Sequence, residues 1–391
     1  MTIPDTSARG ASLRLGTRGS ALALAQSGEI ARALEAAHPG LRVELVPIVT
    51  RGDRLAGELA ALGGKGLFTE ELERGLLDGS LDLAVHSLKD LPVSLPAGLV
   101  IAAFPRRADA RDVLVSALAA DLDGLPAAVV VLTGALRRRA QILLRRPDLR
   151  VEGLRGNVDT RLRRWRERGA GALVLAAAGL ARLGLQASAD LPAHPLAPEV
   201  MLPAPGQGTL ALEVCRGGRA EELCAALDDA PTGATADAER RVVAAFGGDC
   251  TLPLAAWARW ERLERHESAA SGASSGSRAR FGSHEHLEPP ESRAPFESQE
   301  QSERAESRER PESPERPQTR QRTAPPEGRA APSDRRELRL SALLATPDGR
   351  HAARGEAAGS EPEAVAAACI AALRADGADE VLARVREARR Q

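Results

Sequence analysis

The 391-residue chain reads as an α/β protein of two lobes flanking a cleft, followed by a small α+β C-terminal domain that a disordered insertion interrupts. Three observations predict this. Short apolar runs alternate with helix-like stretches twice over, once before residue 105 and again from 106 to 205, and such alternation gives mostly parallel sheets covered by helices. A later strand-like segment, 208–215, returns the chain to the first series, which assigns residues 1–105 and 206–226 to one lobe and 106–205 to the other. Residues 261–336 are crowded with Ser, Glu, Arg, Pro and Gln and hold only Leu263 and Leu287 as aliphatics larger than Ala, so they bury too little apolar surface to offset an ordering cost of roughly 1–2 kcal/mol per residue. The third unit is therefore 227–260 with 337–391.

Taken in order, LRLG is the first strand, and Ser20 is the N-cap of the helix SALALAQSGEIARALEAA. VELVPIVT is a strand, GLFTEELERGLLDG a helix, and LDLAVHS a strand carrying Leu81, Leu83 and Val85. The second series runs DVLVSAL, AAVVVLTGALRRRAQILLRR, LRVEGLRG, NVDTRLRRWRERG and ALVLAAAGLARLG. GTLALEVC is the returning strand. Beyond it, DAERRVVAAF is helical, TLPLAAWARW and ELRLSALLAT pair as a hairpin across the insertion, and EPEAVAAACIAALRADG covers that small sheet. A long insertion in a hairpin is tolerated because loop closure costs only about 0.6 kcal/mol per doubling of length.

Composition narrows the function. Lys plus Arg (53) nearly balances Asp plus Glu (54), so the net charge of −1 gives no global attraction to nucleic acid or a membrane. No run of 18 apolar residues is present and the N-terminus lacks a secretory pattern, so the expected location is cytoplasmic and the expected state monomeric. Cys215, Cys224, Cys250 and Cys369 show no metal-ligand spacing and no disulfide framework, which predicts no metal and free thiols. Aromatics at 2% leave few platforms for stacking nucleobases.

The candidate site lies where strands meet helices. VHSLKDLP puts Lys89 and Asp90 just past a strand, at the edge where α/β sheets gather ligands. Arg18 precedes the Ser20 cap, and Arg137 and Arg138 fall in the first turn of a helix, where the dipole disfavours cations unless an anion is close. Arg155 ends a strand, Arg161 follows about one helical turn later, Arg182 lies in LARLG and Lys65 in GGKG. Each arginine alone is a solvated surface residue, as Arg139, Arg145, Arg146, Arg163 and Arg164 are read to be. The others recur at one kind of position, and many planar forks in one cleft suit a small ligand bearing several carboxylates. GGKG lacks the spacing of a nucleotide P-loop. Cys250, on a turn after FGGD, is read as a nucleophile or an attachment point, or as neither, while Asp249 beside it raises the thiol pKa. His86 is a base or, more plainly, a structural hydrogen-bonding group.

These motifs, TRGSALALAQ, LVPIVTRGD, GGKGLFTEELE, DLAVHSLKDLP, LRRRAQ, RRPDL, LRGNVDTRL, AAAGLARLGL, LPAPGQG, AER and GGDCTLP, are similar in kind and order to those of the porphobilinogen deaminase (hydroxymethylbilane synthase) family. The resemblance implies two periplasmic-binding-protein-like lobes and a third domain bearing a dipyrromethane cofactor on Cys250. It implies condensation of four porphobilinogen molecules with loss of ammonia, Asp90 being the catalytic carboxylate. Lys89, Ser87, Thr133, Arg137, Arg138 and Arg155 would hold the cofactor, and Arg18, Ser20, Lys65, Arg161 and Arg182 the substrate, with Gln207 a hinge or backbone-ordering residue. The chain departs from the family pattern where two serines become Gly134 and Ala135, a glycine becomes Asp249 and a lysine becomes Ala61. The alternative is a two-lobed anion binder that catalyses nothing, since fold alone does not separate the two.

Overall fold

Two sheets with the same strand order carry the lobes. The computed structural model describes residues 12–50, 69–185, 187–247, 252–262 and 336–390. In the first lobe β1 (Ser12–Arg18), β2 (Arg42–Ile48) and β3 (Leu83–Ser87) are parallel, and β10 (Leu210–Cys215) runs antiparallel between β3 and β4 (Leu99–Ala103), giving the order β2-β1-β3-β10-β4. Helix α1 (Ala21–Ala37) starts where the Ser20 hydroxyl accepts from the Ala23 N–H, satisfying one of the donors a helix start leaves open. Its Ile30, Ala31 and Leu34 pack on Leu13, Leu15, Leu83 and Leu212. Each such leucine contributes about 1.5–3 kcal/mol relative to exposure. Helix α2 (Glu70–Leu77) has Glu70, Glu71 and Glu73 in its first turn, the sign its dipole favours, and buries Leu72 and Leu76.

The second lobe repeats the plan with β5 (Asp112–Val115), β6 (Val130–Leu132), β7 (Arg150–Glu152), β8 (Ala172–Ala176) and β9 (Ala193–Pro195) in the order β7-β6-β8-β5-β9. Strands β6, β7 and β8 are parallel, while β5 is antiparallel to both β8 and β9. The all-apolar reading of LVL in β8 and VLV in β5 is explained by burial on both faces, with Leu114, Val131 and Val174 in one cluster and Val115, Leu132 and Leu173 in the other. Helices α3 (Leu136–Arg145), α4 (Val158–Arg168) and α5 (Ala177–Arg182) follow β6, β7 and β8.

Two segments cross between lobes, 104–111 outward and 196–209 back, and they bond to each other. The Ala108 N–H donates to Gly208 O at 3.2 Å, Arg107 Nε to Gln207 O at 2.9 Å, and Gln207 Nε2 to Ala110 O at 2.7 Å. Gly208 is required here: its φ is +88°, and a Cβ would stand 2.5 Å from Ala108 O.

After α6 (Arg219–Cys224) comes α7 (Ala230–Ala245), capped by Asp229, whose carboxylate accepts from the Thr232 N–H, with Pro231 in its first turn. The third sheet is antiparallel, β11 (Leu254–Arg262), β12 (Arg336–Ala345) and β13 (Ala352–Gly359), and its ladder runs to Arg262 opposite Arg336, so the expected hairpin closes around residues 263–335. One closing helix was expected from the sequence, and there are two. α8 (Pro362–Ala375) ends before Gly377, whose φ of +89° turns the chain into α9 (Ala378–Ala388). Val381, Leu382 and Val385 of α9 join the same core as Val242, Phe246, Leu340 and Leu373. Among the described residues no helix is long and apolar enough to cross a membrane.

Candidate active site

Parallel strands deliver the predicted residues to one edge of each sheet. Arg18 ends β1, Ser87 ends β3, Thr133 follows β6, Arg155 follows β7 and Arg182 closes the helix after β8. In the first lobe β3 passes into a single 3-10 turn, Leu88–Asp90, which leaves Asp90 exposed and Lys89 half-buried. Leu88 and Leu91 anchor that turn in a cluster with Ala211 and Ala236, and the Leu88 N–H donates to Thr209 O. Ser87 accepts from Gln26 Nε2 at 2.9 Å, so α1 fixes its hydroxyl.

The anion demanded by two arginines at a helix start belongs to the protein. Asp112, fully buried at the head of β5, lies 2.7 Å from Arg137 Nη1 and accepts from Arg138 Nη2 at 2.8 Å and Gln207 Nε2 at 2.8 Å. Burial would raise its pKa, but the Arg137 and Arg138 charges and the hydrogen bonds outweigh it, and the carboxyl is held far below its usual range. Lys89 Nζ donates to Gln207 Oε1 at 3.4 Å. Burial pushes the Lys89 amine down to about 8, and Arg138 and Arg137 add to that against the pull of Asp90 and Asp112. Burial and Arg138 likewise lower Arg161 to about 10, with Asp90 opposing. Four cations thus face one exposed and one buried carboxylate. Such a surplus in a desolvated place costs free energy until an anion arrives, and a ligand with several carboxylates supplies it.

The remaining predicted residues lie nearby without joining this cluster. Arg182 donates to Glu29 Oε2 at 3.2 Å and to Gly208 O at 3.2 Å, tying α5 of the second lobe to α1 of the first. Arg155 is exposed, while Arg161, already counted in the cluster, donates from Nε to Gly156 O. Thr133 is buried, and its hydroxyl accepts from the Ala135 N–H at 3.3 Å. His86, within β3, is buried with Nε2 2.9 Å from Glu213 Oε2 of β10, a structural position. Lys65, Cys250, Asp249 and Ala61 lie outside the described residues. Sequence reasoning missed Asp112, Gln26 and the buried Glu239, which accepts from Arg107, the Gly206 N–H and the Ala258 N–H. The signal for Asp112 was a lone carboxylate opening an otherwise apolar strand. Among the described residues no cluster of His, Cys, Asp and Glu could hold a metal ion. A separate cavity of about 410 Å³, lined by Arg107, Arg111, Trp257 and Trp260 among others, touches none of the predicted site residues.

Comparison with known proteins gives concordant findings. Residues 13–222 match the family model described as porphobilinogen deaminase, dipyromethane cofactor binding domain. The chain is 51% identical over 249 residues to the porphobilinogen deaminase of Syntrophotalea carbinolica, covering 63% of this chain and 78% of that one. It is 50% identical over 269 residues to that of Xanthomonas campestris pv. campestris, covering 68% and 87%, and 48% identical over 270 residues to that of Stenotrophomonas maltophilia, covering 68% and 88%.

Proposed function

This chain belongs to the porphobilinogen deaminase family, and we propose that its cationic cleft runs the family's reaction with Asp90 as the catalytic carboxylate. It is a transferase of tetrapyrrole biosynthesis: four porphobilinogen molecules are joined with release of four ammonia molecules, and water then frees hydroxymethylbilane. The observation that carries the assignment of residues is the surplus of Lys89, Arg137, Arg138 and Arg161 over Asp112 beside an exposed Asp90. A dipyrromethane bears two acetates and two propionates, so its four carboxylates fit that donor set. When bound it would supply the free pyrrole carbon to which the first substrate ring is joined.

In this reading Lys89, Arg137, Arg138 and Arg155 pair with the cofactor carboxylates, Ser87 and Thr133 offer hydroxyls, and Cys250 is the attachment point. Arg18, Ser20, Lys65, Arg161 and Arg182 take the acetate and propionate of the incoming substrate, Arg182 exchanging Glu29 for it. Loss of ammonia from the substrate leaves a cationic methylene on its pyrrole. The Asp90 carboxylate, held in place before the charge appears, stabilises that cation and then the pyrrole N–H while the ring carbon loses its proton. Arginines fixed by Asp112 and by backbone carbonyls need little reorganisation when substrate arrives. The two sheets and the third ladder support dividing the chain into lobes 1–105 with 206–226 and 106–205, and a cofactor unit of 227–260 with 337–391. The protein acts as a cytoplasmic monomer.

The test is the intact mass of the protein beside a Cys250→Ser variant, with ammonia release measured on both. An added mass of two linked pyrroles, present in the first and absent in the second, together with turnover only in the first, is expected. A folded protein prepared with porphobilinogen that carries no adduct would leave a non-catalytic anion binder as the better account.

A further inference from the structure

Helix α7 reaches the Asp90 turn through a side chain that the reaction as described does not use. Ala236 packs against Leu88 and Leu91, and one helical turn on, Arg240 donates from Nη2 to Val93 O at 2.7 Å and to Pro92 O at 3.1 Å. These carbonyls follow Asp90 by two and three residues. Arg240 is half-buried, its guanidinium lowered by burial and offset by Asp237 on its own helix and Glu213 on β10, and Glu213 in turn faces His86. The neighbouring Glu239 holds the Gly206 N–H, at the returning crossing, and the Ala258 N–H of β11. The same helix ends at Ala245, five residues before Cys250. One helix therefore grips the turn that bears Asp90 through Ala236 and Arg240.

We propose that Arg240 is a positioning residue that sets where the Asp90 carboxylate stands in the cleft, by clamping the carbonyls of Pro92 and Val93 to α7. The proposal rests on the porphobilinogen deaminase reading. Displacing a preorganised charge by about 1 Å costs on the order of 100-fold in rate while leaving carboxylate-binding arginines in place. The loss therefore belongs in kcat and not in KM. Arg240→Lys keeps a cationic donor of similar reach, but its single ammonium on a flexible stem lacks the planar guanidinium whose Nη2 is held between both carbonyls, so it restores part of the rate.

The experiment measures kcat, KM, melting temperature and intact mass for wild type, Arg240→Gln, Arg240→Lys and Arg241→Gln. Arg241, one residue on, pairs with the exposed Asp237 and Glu363 among the described residues and controls for damage to the helix. Arg240→Gln is expected to load cofactor fully and to lose roughly 10- to 100-fold in kcat with KM within about twofold. Arg240→Lys should fall between, and Arg241→Gln should match wild type. A merely structural arginine would lower the melting temperature and spare kcat in assays run well below it, and that result overturns the proposal. If Arg240→Gln does not fold, Arg240→Lys decides, and an unchanged kcat there overturns it equally. A wild-type protein with neither adduct nor turnover would overturn the family's reaction for this chain, a different failure visible before any variant is compared.

Discussion

Asp90 and Asp112 are two carboxylates about which the structure makes opposite statements. Asp90 is exposed at the end of a 3-10 turn, available to a ligand, whereas Asp112 is consumed by Arg137, Arg138 and Gln207. Asp90→Asn should therefore leave folding and cofactor mass intact and cut kcat by at least about 100-fold, as loss of one preorganised electrostatic group does. Asp112→Asn leaves two guanidinium groups buried without their anion and should destabilise the protein by about 3–5 kcal/mol in denaturant unfolding. Lys89 carries a pH prediction. Its amine, lowered to about 8, is charged below that pH and neutral above it, so uptake of the dipyrromethane by protein freed of it should slow as pH rises through about 8, and Lys89→Arg should flatten that limb. The sign for stability is opposite: the unfolded amine near 10.5 binds more protons between the two values, so burying Lys89 opposes folding below about 8 and ceases to do so as pH climbs toward 10.5. At this scale the sequence revealed residues whose position was anomalous, such as cations at a helix start. It did not reveal Gln26, which sits in a helix of ordinary pattern, and left only a lone carboxylate before an apolar strand to mark Asp112; each acquires its partner only through tertiary pairing.

Helix caps and turns were readable because their signals are local. Ser20 caps α1 as its position in GTRGS implied, and the β11–β12 hairpin was visible across the insertion because both strands are apolar and β-rich. The break between α8 and α9 was not, since one glycine within an alanine-rich run does not announce a change of direction without its φ. Helix α3 shows how an element reinterprets a departure from the family pattern. Ala135 is its N-cap, extended and with no capping side chain, so Ala135→Ser should raise stability by about 1 kcal/mol. Gly134 is different, because a Cβ there would meet Leu154 O at 2.5 Å. Gly134→Ser should cost roughly 1–3 kcal/mol by forcing β7 and the α3 start apart. Urea unfolding of the two single variants separates these effects, and restoring both serines together would have hidden them.

For the whole molecule, the crossings decide how its parts depend on one another. Because segments 104–111 and 196–209 bond to each other around Gly208, Gly208→Ala should lower both stability and turnover, unlike alanine at an exposed loop glycine such as Gly153, where a Cβ meets nothing within 4 Å and φ is not positive. The ladder ending at Arg262 opposite Arg336 predicts that a two-residue Asn-Gly turn can replace 263–335 with cofactor mass and turnover retained, since the strand ends already stand at hairpin separation. Two lobes and a third unit were apparent in the sequence from alternation and composition, as was the return of 208–215 to the first lobe; its insertion between β3 and β4 was not, because pairing partners distant in sequence leave no local mark.

That insertion also sets an order of events on the ribosome. The first sheet lacks its fourth strand in space until β10 is made, and β10 follows the entire second lobe. At about 5–20 residues per second, the gap between β4 and β10 lasts roughly 5 to 20 seconds, during which β3 and β4 each present an unpaired edge in the emerging chain. The enzyme's first lobe is thus born with an open slot, and synthesis slowed between residues 104 and 209 should favour capture by chaperones and aggregation over completion.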